Sequence, residues 1–328
     1  MDVSIIIVNY RSWKPLHNCL ESLLSIDKTK INFEVIIVDN FSNDGKFDLF
    51  QNEFKDFIFI RNTTNSGFAN GCNLGAKEAK GNYFLFLNPD TIISPETLNT
   101  LYTTYHNHSD IGILSCLQVD KKNRFFNQKN IFPSLVQIFG TSRFFHRKII
   151  KKRIEIIFNA KEELFYPDWV TGAVIFISKD WFNRVNGWNE DYWLYFEDVE
   201  ICRKISQKKG KIAVTRNTTI LHEHGGSSRH DFETEHISKT EVIISKHVYV
   251  NNNFKPLSKT FAHILLIIFI IAEKTFLSLL SLFLFSSLKL RTNRYILKNL
   301  CFYYFNAIKE QTWLSRRAAN YQRLTYDK

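Results

Sequence analysis

The sequence predicts an α/β protein, a mostly parallel sheet flanked by helices, with a helical extension towards its C-terminal end. Apolar runs of strand length alternate with stretches at helical spacing through the first hundred residues. Hydrophobic residues make up 45% of the 328 and aromatics 15%, enough for a sizeable core and too many for a disordered chain. From Thr260 to Leu288 the composition shifts abruptly to Leu, Ile, Phe and Ser, which reads as one long apolar helix.

Each element follows in turn. Val3–Val8 reads as the first buried strand; with Asp2 before it in place of Lys or Arg, it is too short for a signal peptide. Leu16, Leu20, Leu23 and Leu24 recur at helical spacing, and Glu34–Val38 and Phe57–Ile60 are the next strands. A helix through Ala69, Leu74, Ala76 and Ala79 leads to the strand Tyr83–Leu87. Strands separated by helices imply right-handed crossovers between parallel neighbours. Ser94-Pro95-Glu96 is expected to open a further helix, with Ser as N-cap and Pro at the first position. Ile111–Leu114 and Val170–Ile177 are later strands, and Ile201–Lys209 is helical. The stretch from Leu117 to Asp168 carries no readable motif. The expected domain division is residues 1–235, in halves 1–115 and 116–235, followed by a helical region 236–328.

Five cysteines, Cys19, Cys72, Cys116, Cys202 and Cys301, contain no Cys-x-x-Cys pair. That argues against a zinc ribbon or disulfide framework and fits a reducing compartment. The net charge is +11, unevenly spread. From Lys289 to Lys328 there are nine Lys or Arg against Glu310 and Asp327, a net +7. A second basic cluster, Arg143 to Arg153, is interleaved with Phe144, Phe145, Ile149 and Ile150. Such clusters suit nucleic acid or an anionic membrane surface, and the neighbouring apolar helix favours the membrane. In a helical projection Lys259, His263, Lys274, Ser278 and Ser281 form one narrow polar stripe on that helix. Glu273-Lys274 near its middle disfavours a full span, and the helix is expected to lie in the interface, with burial in the protein or an oligomer as the alternative.

Several residues have the placement that chemistry needs. Tyr83–Leu87 runs straight into Asn88-Pro89-Asp90, putting a carboxylate at the carboxyl edge of a sheet, where α/β proteins hold ligands. Asp39 ends the second strand, as either a ribose- or base-binding acid or an ordinary Asx turn. Glycines in Asn65-Ser66-Gly67-Phe68-Ala69-Asn70-Gly71 allow either close approach to a ligand or close helix–strand packing. Glu197-Asp198 follows four aromatic residues within Tyr192–Phe196, where partial burial raises a carboxyl towards the range of a general base. The same acids also suit a helix N-terminus. His222 and His224 stand before Gly225-Gly226, as either metal ligands in an accessible loop or ordinary structural histidines.

In this order, the motifs make the chain resemble the inverting family 2 glycosyltransferases of the GT-A fold, in their bacterial rhamnosyltransferase-like branch. The resemblance covers roughly residues 3 to 230. It rests on Ser4–Tyr10, Val38-Asp39-Asn40-Phe41-Ser42, Asn65-Ser66-Gly67-Phe68-Ala69, Leu87-Asn88-Pro89-Asp90-Thr91, Gly172-Ala173 and Tyr195-Phe196-Glu197-Asp198-Val199. It implies that Asn9, Asp39, Asn65 and Gly67 line a nucleotide-sugar pocket, with Asn88 and Asp90 at its diphosphate end. Asp90 and His222 would hold Mg2+ or Mn2+, and Asp198 would be the catalytic base with Glu197 beside it. Asn88 stands where many members have the first Asp of an Asp-x-Asp motif, which bears on metal dependence.

The implied reaction is a single inverting displacement from a nucleoside-diphosphate sugar onto a hydroxyl of a lipid-linked or growing surface-polysaccharide acceptor. The Asn-Pro-Asp form leans towards dTDP-rhamnose, with a UDP-sugar donor as the alternative. A non-catalytic nucleotide-sugar-binding scaffold is the alternative of another class. A processive synthase is disfavoured because Gln207-Lys208-Lys209 does not match its Gln-x-x-Arg-Trp segment. The expected setting is the cytoplasmic side of a bacterial inner membrane, as a peripheral or monotopic protein that does not bind nucleic acid.

Overall fold

The structure, a computed structural model, describes residues 1–126, 128, 130–134, 162–223, 232–284 and 287–326. The basic cluster at Arg143–Arg153 and the His224-Gly225-Gly226 segment lie outside the described residues. The chain forms two compact units: the first comprises Met1–Phe132 with 162–189 and 197–223, the second 190–196 and the helices from 232 onward.

The first unit is built on a sheet. β1 (Val3–Asn9), β2 (Phe33–Asp39), β3 (Ile58–Arg61) and β4 (Tyr83–Leu87) run parallel in the spatial order β3-β2-β1-β4. Their connections are α1 (Trp13–Leu24), α2 (Phe47–Glu53) and α3 (Phe68–Glu78), and α4 (Thr97–His106) follows. β1 is apolar at nearly every position because it is buried on both faces. Ile5 and Ile7 pack with Leu16, Leu20 and Leu98 on one side. Ile6 and Val8 pack with Ala69, Cys72 and Ala76 on the other. α4 starts at Thr97, and Ser94-Pro95-Glu96 forms the turn before it rather than its first residues.

Beyond β4 the sheet becomes mixed. It continues through β5 (Thr91–Ile92), β6 (Ile111–Val119), β7 (Leu164–Phe165), β8 (Val174–Ser178) and β9 (Lys211–His222), in the order β4-β8-β6-β9-β5 with β7 beside β9. β8 is antiparallel to both β4 and β6, so β6 points the same way as β4, and β9 runs parallel to β6. Two further helices, α5 (Lys179–Arg184) and α6 (Glu197–Gln207), complete the unit. β9 has no counterpart among the strands expected from the sequence. Its alternation is interrupted where Thr215 pairs with Cys116 but Thr219 pairs with the next residue, Leu117, so Arg216-Asn217-Thr218 bulge out of register.

The order β3-β2-β1-β4 makes β1 the point where the chain reverses direction across the sheet, and ligand crevices open at the carboxyl ends of such strands. Asn9 ends β1, Asp39 ends β2 opposite it, and Asp90 lies just beyond β4. The antiparallel β8 begins at this same edge, with the Asn88 N–H donating to Ala173 O at 3.1 Å. Gln118 near the end of β6 and His222 at the end of β9 arrive there too.

The second unit contains α7 (Phe232–Asn253), α8 (Pro256–Phe283), α9 (Leu288–Lys309) and α10 (Ala319–Tyr326). α8 is 28 residues long with a mean hydropathy of 2.2 over its most apolar stretch, long and apolar enough to cross a bilayer. Its polar stripe is the packed side. Ala262, His263, Leu266, Ile270 and Ser281 are buried, whereas Phe261, Ile264, Ile268, Phe276, Leu279 and Phe283 are exposed. His263 stacks on Trp313 with ring centres 3.9 Å apart, and Arg294 of α9 donates to Ser281. The segment 190–196 is tied to α10 by the Arg323–Glu190 ion pair at 2.6 Å and the bond from Asn320 to Asp191 at 2.9 Å.

α3 approaches β1 closely because it presents glycine there. A Cβ on Gly71 would stand 2.7 Å from Val8 Cγ1, and one on Gly75 2.6 Å from Ile6 Cγ2. These contacts are with short branched side chains that have little room to yield. Gly75→Ala is therefore expected to lower stability by about 1–3 kcal/mol in urea unfolding. A change within about 0.5 kcal/mol, the range of a neutral surface substitution, would contradict the close approach.

Candidate active site

At the β1–β2 end the side chains organise one another. Asn9 Nδ2 donates to Asp39 Oδ1 at 3.2 Å, while Asn9 Oδ1 accepts from the Ser12 N–H at 3.2 Å. Asp39 also accepts from the Ser42 hydroxyl and, at 3.1 Å, from the Ser42 N–H. Burial pushes the Asp39 carboxyl up, against the opposing pull of Ser42 and Asn9. Asn40 joins this group to the next loop: its Nδ2 donates to Asn65 Oδ1 at 3.0 Å and to Gly67 O at 3.1 Å, and its Oδ1 accepts from Asn62 at 2.9 Å. Gly67 precedes α3 with φ 104° and ψ 168°, a conformation open only to glycine. The structure thus brings Asn9, Asp39, Asn65 and Gly67 into one hydrogen-bonded set, with Asn40 and Asn62 as members that motif reading passed over.

At the β4 end, Asp90 and His222 meet. Thr91 pairs with His222 across β5 and β9, and the Glu223 N–H donates to Asp90 O at 2.9 Å. This sets His222 Nε2 3.5 Å from Asp90 Oδ1, with both side chains almost fully buried. The Gln118 amide orients the ring: its Nε2 donates to Thr171 Oγ1 at 3.1 Å, and its Oε1 accepts a hydrogen bond from His222 Nδ1 at 3.0 Å. Asp90 Oδ1 is buried with no hydrogen-bond partner and is set against the His222 ring nitrogen. A carboxylate oxygen and an imidazole nitrogen at this separation are a donor set that could hold a divalent cation. Among the described residues no cluster of three His, Cys, Asp or Glu forms. Asn88 is held through its backbone, its carbonyl accepting from Thr91 Oγ1 at 2.8 Å.

The acid pair opens α6. Glu197 and Asp198 occupy its first turn, where the helix dipole favours acids. Tyr195 and Phe196 before them both adopt left-handed backbone, φ 71° and φ 68°, a strained conformation for aromatic residues. Asp198 is half-buried, with Oδ2 accepting from the Gly172 N–H at 3.2 Å and Oδ1 from the Val199 N–H at 2.8 Å. Burial pushes its carboxyl up to about 6 despite those two donors. Glu197 is 6% exposed, and burial followed by the Asp198 charge pushes it well above the usual carboxylate range. Gly172 joins the acid to the other loop. A Cβ there would stand 3.3 Å from the Phe68 ring and 3.8 Å from Asp198 Cβ, so the residue after Gly67 and the candidate base share one wall.

A sequence model of glycosyl transferase family 2 matches residues 4–176, more than half the chain. The chain belongs to glycosyl transferase family 2. A second model, described as the N-terminal domain of galactosyltransferase, matches residues 153–230. The chain is 34% identical over 118 residues to a poly(ribitol-phosphate) beta-glucosyltransferase of Bacillus spizizenii, a match covering 34% of this chain and 19% of that protein. It is 25% identical over 193 residues to the rhamnosyltransferase WbbL of Escherichia coli K12, covering 56% of this chain and 70% of WbbL. Among solved structures, the mannosyltransferase PcManGT of Pyrobaculum calidifontis, in complex with GDP-Man and Mn2+, superposes with a TM-score of 0.53 at 15% identity. That match covers 80% of this chain and 68% of the other, a likeness of fold, and the fold is GT-A.

Proposed function

We propose that this family 2 glycosyltransferase moves a sugar from a nucleoside diphosphate to a hydroxyl of a lipid-linked or surface-polysaccharide acceptor, inverting the anomeric centre. The observation that carries the proposal is the gathering at one sheet edge of the Asn9–Asp39 set, the Asp90–His222 pair and the half-buried Asp198. Asn9, Asp39, Asn65 and Gly67 would receive the base and ribose. Asp90 and His222 would hold Mg2+ or Mn2+, which supplies positive charge for the departing diphosphate. Gln118 would act as a positioning residue, holding the His222 ring beside Asp90. Asn88 and the likeness to WbbL favour rhamnose as the sugar, whereas the likeness to the Bacillus protein favours a glucosyl donor.

Asp198 would accept the proton of the acceptor hydroxyl as that oxygen attacks the anomeric carbon. The new C–O bond forms while the bond from that carbon to the diphosphate oxygen breaks, its electron pair leaving with the nucleoside diphosphate. A carboxyl at about 6 is about nine-tenths ionised at pH 7 and still basic enough to share a proton. Burial pushes Glu197 well above the usual carboxylate range, and it would stand beside Asp198 in the first turn of α6 while Asp198 acts as the base.

The helical unit would rest on the cytoplasmic face of an anionic membrane. On α8 the exposed face is apolar, and each large apolar side chain that lipid covers contributes about 1.5–3 kcal/mol. Glu273 lies 57% exposed beside Lys274, and a charge at the bilayer centre costs about 2.5–3.5 kcal/mol, which favours the interface over a span.

Asp198→Asn is expected to bind nucleotide as the native protein does and to transfer sugar at less than a tenth of its rate. Retention of a tenth or more would remove Asp198 as base. Because the base must be ionised, kcat/KM is expected to fall about tenfold per pH unit below about 6, and a flat profile between pH 5 and 7 would contradict it. The full chain carrying Ile268→Asp and Phe276→Asp is expected to sediment at least tenfold less with anionic vesicles. Unchanged sedimentation would rule out the apolar face of α8 as the contact.

A further inference from the structure

The second unit holds a cavity of about 230 Å³ between α7, α9 and the turn at 310–317. Glu241 of α7 lines it and is 3% exposed. One of its oxygens, Oε1, accepts from Ser315 Oγ at 2.9 Å and lies 3.7 Å from Arg317 Nε. The other, Oε2, is buried without a hydrogen-bond partner. A buried acceptor left unsatisfied at the wall of a cavity costs about 1–3 kcal/mol, which a ligand donor would recover.

We infer that this cavity is a second binding site, remote in sequence from the acid motifs, for a neutral hydroxyl-bearing ligand the size of one sugar ring. Its charged lining is balanced: Glu241 and Glu310 face Arg316 and Arg317, with Arg316 paired to Glu310. An anion would meet the Glu241 oxygen and a cation would meet the arginines, whereas a neutral ligand disturbs neither. Thr240 and Asn299 add a hydroxyl and an amide to the lining. Phe302 and Tyr303 add aromatic surface, so the lining offers polar groups to a ring's hydroxyls and flat apolar groups to its C–H faces. Burial pushes the Glu241 carboxyl up to about 7, so near neutrality it both accepts from and donates to hydroxyl groups.

The mouth suggests how such a ring would arrive. Phe302 lines the cavity yet is 59% exposed, and Phe305 and Ile308 continue the same exposed apolar surface of α9. A sugar head carried on an alkyl chain and a free saccharide present the same chemistry to Glu241. The two differ in what the chain adds outside.

The test uses the full-length protein in phosphatidylcholine nanodiscs, titrated with methyl β-glucoside, with octyl β-glucoside below its micelle concentration, and with octyl phosphocholine, by saturation-transfer NMR. Both glucosides are expected to bind, and Glu241→Leu and Asn299→Ala are each expected to weaken them at least tenfold. Equal affinity for the two glucosides would assign the site to a free saccharide; preference for octyl glucoside would assign it to a lipid-borne one. Either result supports the site. Equal binding of octyl phosphocholine, or glucoside binding unchanged in both variants, would overturn it. Binding abolished by Asp198→Asn but indifferent to Glu241→Leu would overturn it too, by moving the sugar to the acid-pair site. Failure here leaves the transfer reaction untouched, since transfer is read separately through Asp198.

Discussion

The site depends on β1 and the reversal of chain direction that occurs there. A strand buried on both faces must be covered by helices on both, and the crossovers that do this carry β2 to one side and β4 to the other. The loops after the parallel strands therefore leave β1 in opposite directions, and Asn9, Asp39 and Asp90 stand at their carboxyl ends, the edge where such sheets hold ligands. The antiparallel β8 then brings Gly172 and Ala173 to that edge, and with them the N–H that holds Asp198. The close seat of α3 on β1, set by Gly71 and Gly75, belongs to the same arrangement, because α3 begins at the loop that carries Asn65 and Gly67.

Electrostatics differ between the parts of this sheet edge. Asp39 is surrounded by donors and organises the loop after β2 as an acceptor. Asp90 has a buried oxygen without a hydrogen-bond partner, set 3.5 Å from a histidine nitrogen. Asp198 has two backbone donors, and burial still raises its carboxyl to about 6, disfavouring the ionised form by about 3 kcal/mol. The two left-handed aromatic residues ahead of it add strain at the same place.

Much of this was legible in the sequence, for identifiable reasons. β1, β2 and β4 declare themselves because strands buried on both faces are apolar at almost every position, and the acids after them mark the sheet edge. β9 was not legible, since its bulge at Arg216–Thr218 breaks the period, and with it went the placement of His222, which ends a strand. Two-residue strands such as β5 and β7 are too short for any period. Asn40 and Asn62 gave no signal because an asparagine in a loop is ordinary, and Gln118 became visible only when β6 proved to extend to Val119, where a glutamine among apolar neighbours requires a partner. On α8 the projection found the polar stripe, but periodicity alone does not say which face is packed.

The central claim is that one crevice holds a nucleoside diphosphate with its diphosphate end at Asp90 and His222. Calorimetric titration of the full-length protein with UDP and dTDP, each with and without Mn2+, and with uridine and thymidine as controls, tests it most directly. Mn2+ is expected to tighten at least one diphosphate tenfold or more, to leave both nucleosides unaffected, and to lose its effect in Asp90→Asn. Diphosphate binding that ignores Mn2+, or a metal effect that survives Asp90→Asn, would contradict it.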